Sequence, residues 1–372
     1  MKILYVANYK DGTGWGNAAI DYILAMDSAG LDVTCRSITF NQANVEIPAR
    51  IIELENKPNK DIDVCIQHTL PHMYDYNGNF KNIAVYYTET SNFSRTNWAK
   101  KINCMDEAWV CNNSMVESSR NSGVTVPIKV IPQPCNTEKY SQKYKEIEIP
   151  NTSGKFVFYF IGELIRRKNI TSLLKAFHLE FSPEEPVELL LKCHKTGLNE
   201  QECGDQLKEL CNTVKDNLKL YTDRENYKKE LITTGRLDDS NLMALHKACH
   251  CFVMPSFGEA WSLPAFDAMA MGNTPICNAV GGPLDYLSHG GGVLVEGTME
   301  PVFGMTETFT DLYTGRENWK NINILELQKQ MRIAYDNWKK GDTTVGERGK
   351  EVADHYRYER IGNIIKETLN GF

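Results

Sequence analysis

The sequence predicts an α/β protein: two doubly wound, Rossmann-like parallel-sheet domains in tandem, facing a central cleft. Three observations predict it. Short runs that are apolar on both faces alternate with runs whose apolar residues recur at helical spacing, the pattern of a parallel sheet covered by helices. The alternation occurs twice, interrupted near residues 140–154 by the polar, charged stretch Y-S-Q-K-Y-K-E-I-E-I-P-N-T-S-G. The 372 residues also exceed what one hydrophobic core usually serves.

In order, K-I-L-Y-V-A-N reads as the first strand, followed by a glycine turn. The segment W-G-N-A-A-I-D-Y-I-L-A-M-D-S-A-G then reads as a helix that stops at Gly30. Strands follow at L-D-V-T-C-R-S-I, D-I-D-V-C-I-Q, N-I-A-V-Y-Y-T, D-E-A-W-V-C and K-V-I-P, completing a first domain over 1–149. A second domain over 150–350 opens on K-F-V-F-Y-F-I-G. It continues through V-E-L-L-L-K-C, L-I-T-T-G, C-H-C-F-V-M, T-P-I-C-N and G-V-L-V. Residues 351–372 have helical period. In open α/β sheets ligands bind beyond the carboxyl ends of strands, which makes the cleft the expected site.

Composition bounds the partners. Hydrophobic residues make up 42% and charged residues 24%, as in an ordinary globular protein. The formal charge of −7, from 41 basic and 48 acidic residues, gives no support for non-specific nucleic-acid binding. The apolar runs are too short to span a bilayer, which leaves only peripheral membrane contact open. The N-terminus reads as a strand rather than a signal peptide. Eleven cysteines are scattered without C-x-x-C spacing. Cys249 and Cys251 flank His250, but no further ligands stand at zinc spacing. The expectation is reduced, buried thiols in a cytoplasmic protein with no metal and no cofactor.

Three segments carry chemistry. Asp11-Gly12-Thr13-Gly14-Trp15-Gly16-Asn17 follows the first strand and opens a helix, where glycines admit a ligand close to the backbone and helix amides attract an anion. Its G-x-G-x-G spacing is not the dinucleotide fingerprint, and Cys35-Arg36-Ser37 stand where an acidic residue would close the second strand. A plain tight turn is the alternative. Gly162-Glu163-Leu164-Ile165-Arg166-Arg167-Lys168-Asn169 places three cations before a helix start, where the dipole favours anions. They call for an anionic ligand, or else form a solvated basic turn. In G-E-A-W-S-L-P-A-F-D, Pro264 marks a first helical turn, with Glu259 in the loop before it and Asp267 one turn inside. The amides of Ser262, Leu263 and Ala265 would cradle a phosphate, and the carboxylates would accept from hydroxyls on either side of it. A sugar–diphosphate–ribose has that layout.

The stretch M-P-S-F-G-E-A-W-S-L-P-A-F-D-A-M-A-M-G-N-T-P-I-C-N-A-V-G-G-P-L-D-Y-L resembles the retaining nucleotide-sugar glycosyltransferases of GT-B fold, especially the family 4 (glycosyl transferases group 1) enzymes. Their pattern is P-S-x-x-E-G-x-G-L-P-x-x-E-A-M-A-x-G-x-P-V followed by G-G-x-x-E/D. Gly162-Glu163-Leu164…Lys168-Asn169 is similar to the family's G-R-L-x-x-x-K-G, and Thr234-Gly235-Arg236-Leu237 to its T-G-R turn. D-E-A-W-V-C-N-N-S and V-I-P-Q-P-C-N-T-E-K-Y resemble first-domain segments of the same enzymes. The resemblance is strongest over 156–295.

The resemblance implies roles. Glu259 would contact the transferred sugar near the reacting carbon, and Asp267 would hold the ribose hydroxyls. Lys168 would neutralise the leaving diphosphate, together with the backbone donors of Ser262 and Leu263. Arg236 falls where the base is held, and Gly14 and Gly16 match a glycine loop near the phosphates. Glu163 stands where the family has an arginine, leaving Arg166 or Arg167 as its replacement. Asp267 is one methylene shorter than the family's glutamate, and Ala260 and Ser262 replace glycines. Thr88-Glu89-Thr90 replaces a first-domain histidine. His68, at a strand's carboxyl end, and Glu89 are candidates for contact with acceptor or sugar, although a lone histidine is more often structural. The terminal helix is suited to cross back to the first domain.

The function implied is a retaining, metal-independent transfer of a hexosyl or pentosyl group from a nucleoside diphosphate sugar to an acceptor hydroxyl on a glycan, a lipid-linked or a small molecule. The other readings are transfer to a modified nucleic-acid base, the one way nucleic acid enters, a GT-B phosphorylase, and an inactive binding relative.

Overall fold

The computed structural model describes residues 1–40, 45–306 and 308–371. The chain divides into two units, the first made of Met1–Thr137, Thr308–Glu317 and Asp354–Phe372, the second of Glu138–Glu307 and Asn318–Ala353.

In the first unit six strands form one parallel sheet: β1 (Lys2–Ala7), β2 (Asp32–Ser37), β3 (Val64–His68), β4 (Lys81–Val85), β5 (Glu107–Val110) and β6 (Ile128–Val130). Their order is β2-β1-β3-β4-β5-β6, so the winding reverses between β1 and β3. β5 is buried along its whole length, as expected of a strand covered on both faces. The helix Gly14–Ser28 packs on the helix Tyr358–Asn370 so closely that a Cβ at Gly362 would lie 2.0 Å from the Ala25 carbonyl oxygen.

The second unit holds β7 (Phe156–Glu163), β8 (Val187–His194), β9 (Leu231–Thr234), β10 (Cys251–Met254), β11 (Thr274–Asn278) and β12 (Val293–Val295). They are parallel in the order β12-β11-β10-β7-β8-β9. This is the strand order of dinucleotide-binding folds, with the switch point between β7 and β10. Phe158, Phe177 and Phe181 form the aromatic centre of its core, the Phe158 and Phe181 rings 5.2 Å apart.

All strands expected from the sequence are present. An additional antiparallel ribbon, β13 (Gly297–Pro301) with β14 (Asn318–Ile322), was not foreseen. β13 is largely exposed and carries no apolar alternation, so it gives no periodic signal. Its tight start needs Gly297, where a Cβ would meet the Asn321 carbonyl oxygen at 2.1 Å. The eleven cysteines are free thiols, and ten are buried; Cys104 is exposed.

Candidate active site

The loop after β10 and the turn after β7 meet at the switch point of the second unit. The loop is pinned along its backbone. Asn169 Nδ2 donates to the Pro255 carbonyl at 3.1 Å, and Asn278 Nδ2 to that of Ser256 at 2.9 Å. The Phe257 amide bonds Arg167 O at 2.9 Å, and Phe257 O accepts from Lys320 N at 3.0 Å. Arg167 Nη1 donates to Gly258 O at 2.7 Å. Gly282 N reaches Ala260 O at 2.9 Å, and Tyr286 Oη reaches Trp261 O at 3.1 Å. Gly281 and Gly282 make this approach possible. A Cβ at Gly281 would lie 1.6 Å from the Glu259 carbonyl oxygen, and one at Gly282 would lie 2.7 Å from the Trp261 Cα.

Ser262 caps the helix Leu263–Ala270 in the left-handed region, with φ 64° and ψ 78°. A non-glycine residue there is strained by roughly 1–2 kcal/mol. Pro264 sits in the first turn, where its missing N–H leaves no bond unmade. The Phe266 amide closes on Ser262 O at 3.1 Å, so the Leu263 and Ala265 amides belong to the open first turn.

Charge concentrates on Glu259, whose side chain is 6% exposed. Its Oε1 accepts from Lys168 Nζ at 2.6 Å, and Arg167 Nη1 lies 3.2 Å away. Burial alone pushes this carboxyl up, but Lys168 and Arg167 outweigh it and hold the group below the ordinary glutamate range. The structure therefore separates the three consecutive cations. Arg167 and Lys168 converge on the Glu259 loop, while the exposed Arg166 lays its guanidinium 5.2 Å from the Phe257 ring centre. Glu163, standing where the resemblance leads to an arginine, turns to the next loop and accepts from Thr196 Oγ1 at 2.7 Å.

Asp267 lies further along the same helix with its side chain 13% exposed. Its Oδ1 accepts from Tyr140 Oη at 2.7 Å and lies 2.8 Å from Lys139 Nζ. Sequence reasoning missed both partners. They close the V-I-P-Q-P-C-N-T-E-K-Y segment, where Tyr140 also begins the stretch read as linker, and neither residue carries a local signal of what it reaches. Arg236 is exposed just beyond β9. Its turn is built on Gly235 (φ +89°), whose carbonyl accepts from the buried Lys192 Nζ at 2.6 Å. Burial lowers the pKa of that lysine.

Gly14, Gly16, His68 and Glu89 belong to the first unit. The two glycines differ in kind. A Cβ at Gly16 would lie 2.6 Å from Asp11 Oδ1 and 3.0 Å from Asn8 O, whereas Gly14 is open, with nothing within 4 Å. Asp11 organises the loop by accepting from Thr13 N and Oγ1, and Thr13 caps the helix through Gly16 N. His68 is fully buried. Its Nδ1 bonds Tyr5 Oη at 2.8 Å, and its ring is packed among those of Tyr5, Trp15, Tyr22 and Tyr87. Its Nε2 has no hydrogen-bond partner among the described residues. Burial lowers its pKa to about 3, so the imidazole is neutral. Glu89 is half-buried and accepts from Tyr313 Oη at 2.6 Å. Nearby sequence also lines a first-unit cavity of about 490 Å³ with His72, Arg95, Asn97, Trp98, Phe309 and Asp311. Among the described residues no His, Cys, Asp or Glu cluster is arranged to hold a metal.

Residues 142–302 match the family described as Glycosyl transferases group 1. That segment is a group 1 glycosyltransferase domain. Its boundaries enclose β7 to β12, Lys168, Glu259 and Asp267, but not Lys139 or Tyr140. The mannosyltransferase WbdA of Escherichia coli is 31% identical over 109 residues, which is 28% of this chain and 11% of that protein. The chain thus matches only about a tenth of that relative's length. Solved structures agree over the whole chain. HepE of Anabaena, in complex with UDP and glucose, is 15% identical with a TM-score of 0.67, all of both chains being covered. A trehalose-phosphate synthase of Burkholderia xenovorans is 10% identical with a TM-score of 0.70, again covering 100% of both. Sucrose-phosphate synthase of Thermosynechococcus elongatus is 15% identical with a TM-score of 0.65, covering 100% of this chain and 99% of that one. The fold is GT-B.

Proposed function

We propose that the protein is a retaining glycosyltransferase that moves a hexosyl or pentosyl group from a nucleoside diphosphate sugar to an acceptor hydroxyl, without a metal. One observation carries the reading. At the β7/β10 switch point two cations on the turn after β7, Lys168 and Arg167, converge on a buried carboxylate of the pinned loop after β10, beside an open helix first turn. WbdA's printed description as a mannosyltransferase, and UDP and glucose in HepE, support the same substrate class.

The chemistry follows from charge. Transfer breaks the bond from the sugar's anomeric carbon to a phosphate oxygen, which keeps the electron pair. Negative charge grows on the diphosphate and positive charge on the sugar. Lys168, Arg167 and the amides of Leu263 and Ala265 stabilise the former, which is the part a metal would otherwise play. Glu259, held ionised by its cations, stabilises the sugar cation as a fixed negative charge. The acceptor oxygen bonds the anomeric carbon on the face the diphosphate leaves, and its proton passes to the departing phosphate oxygen. Asp267 holds the ribose, and Arg236 stands at the end where the base lies. His68, neutral and enclosed, supports the wall of the first unit; Gly14 leaves the approach to that unit's helix start open.

The test is a panel of UDP- and GDP-sugars with glycan and small-molecule acceptors, reading released nucleoside diphosphate and the anomeric configuration of product by NMR. Transfer with retention, undiminished by chelator and abolished in folded Lys168→Ala and Glu259→Ala variants, is the expected result. Full activity in both variants overturns the site; an inverted product overturns retention.

A further inference from the structure

Asp267 is short for its role, and its two carboxylate oxygens are treated differently. Oδ1 carries both Tyr140 Oη, at 2.7 Å, and Lys139 Nζ, at 2.8 Å. No partner reaches Oδ2 among the described residues. Tyr140 and Lys139 are themselves coupled, the ammonium lying 5.0 Å from the Tyr140 ring centre. Both sit on the short helix Glu138–Ser141, and Tyr144 Oη bonds the Lys139 carbonyl to fix that turn.

An aspartate carboxylate is free to rotate about its terminal torsion, so a lone Asp267 would present its second oxygen over a wide arc. Two donors on Oδ1, one charged and one aromatic, fix the carboxylate plane and leave Oδ2 in one place as an acceptor. We infer that Lys139 and Tyr140 are positioning residues that aim Oδ2 of Asp267 at a ribose hydroxyl of the donor. This rests on the donor site proposed above. The pair lies outside the segment that matches the family, on the turn that begins the second unit, and so adjusts the ribose contact by means the motif itself does not contain.

The test compares ribose with its absence in the full-length protein. Calorimetry with UDP, GDP and their 2′,3′-dideoxy counterparts gives a ribose preference for each variant as a ratio of dissociation constants. The wild type is expected to prefer the ribonucleotide at least tenfold, and Asp267→Asn to bring the ratio near one. Tyr140→Phe and Lys139→Met should each lower the ratio at least threefold, and Lys139→Arg should restore it. General loosening of the unit would weaken both nucleotides alike and leave the ratio untouched, so an unchanged ratio in Tyr140→Phe and Lys139→Met overturns the inference. A wild type that binds UDP or GDP through Lys168 but shows no ribose preference also overturns it, while the donor site stands. A wild type that binds neither nucleotide at millimolar concentration removes both.

Discussion

Replacing Glu259 by glutamine is expected to tighten the binding of a nucleoside diphosphate while lowering sugar transfer. Lys168 gives one N–H to Glu259 at 2.6 Å, and Arg167 stands 3.2 Å from the same oxygen. A phosphate oxygen taking another Nζ hydrogen at about 2.8 Å would stand about 5 Å from that carboxylate. Two unit charges at about 5 Å repel by about 3 kcal/mol at an effective dielectric of ~20 and by ~1 kcal/mol in water. Between those limits, relief of about 1–2 kcal/mol is expected on the proposed binding of a diphosphate, or roughly five- to thirtyfold in dissociation constant. Glutamine keeps the side chain's size, so the pinned loop stays in place. The assay is calorimetric titration with UDP and GDP at low salt, repeated at high salt, where the gain should shrink. Transfer should fall in the same variant, because the fixed negative charge near the sugar is gone. Lys168→Met should weaken both binding and transfer. Equal or weaker diphosphate binding by Glu259→Gln at low salt refutes the assignment of Lys168 to the diphosphate.

Further outcomes follow from single atoms. Gly281→Ala puts a Cβ 1.6 Å from the Glu259 carbonyl at a φ of +54°, and is expected to lower stability by about 2–4 kcal/mol in urea denaturation and to abolish transfer. Ser262→Gly relieves a left-handed serine and should raise stability by about 0.5–1 kcal/mol in the same assay, and a loss of stability refutes the strain at this cap. His68 is neutral in the native state with its pKa near 3, against 6.5 when unfolded. Its contribution is therefore whole above about pH 6.5 and falls by about 1.4 kcal/mol per pH unit below it, about 2 kcal/mol by pH 5. His68→Gln should flatten the slope of stability against pH between 7 and 5, and an unaltered slope would refute the assignment. His246, lowered to about 4 by burial, acts in the same direction in the second unit.

Both sheets were legible in the sequence because parallel strands are buried on both faces and read as continuous apolar runs, as Phe156–Glu163 and Cys251–Met254 show. The helix start at Pro264, with Glu259 in the loop before it and Asp267 inside it, was legible because proline fits a first helical turn. What was not legible depends on distant partners. No local pattern reveals that Tyr140 reaches Asp267 across 127 residues, or that Tyr313 reaches Glu89 across 224. The fate of Arg166, Arg167 and Lys168 was also beyond the sequence. A short helical turn at 166–168, followed by Asn169 in the left-handed region, sends adjacent cations in different directions. His68 was placed correctly at a strand end, but its complete enclosure comes from four aromatic rings on other segments.

The first unit is assembled from three separated stretches of chain, and its helix Gly14–Ser28 rests on a helix made from residues 358–370. During synthesis, the surface around Ala25 must therefore wait for more than three hundred later residues before its packing partner exists. The second unit has all its residues by 353. The order of completion then runs against the order of translation, and the half made first is the one that depends longest on protection from premature association.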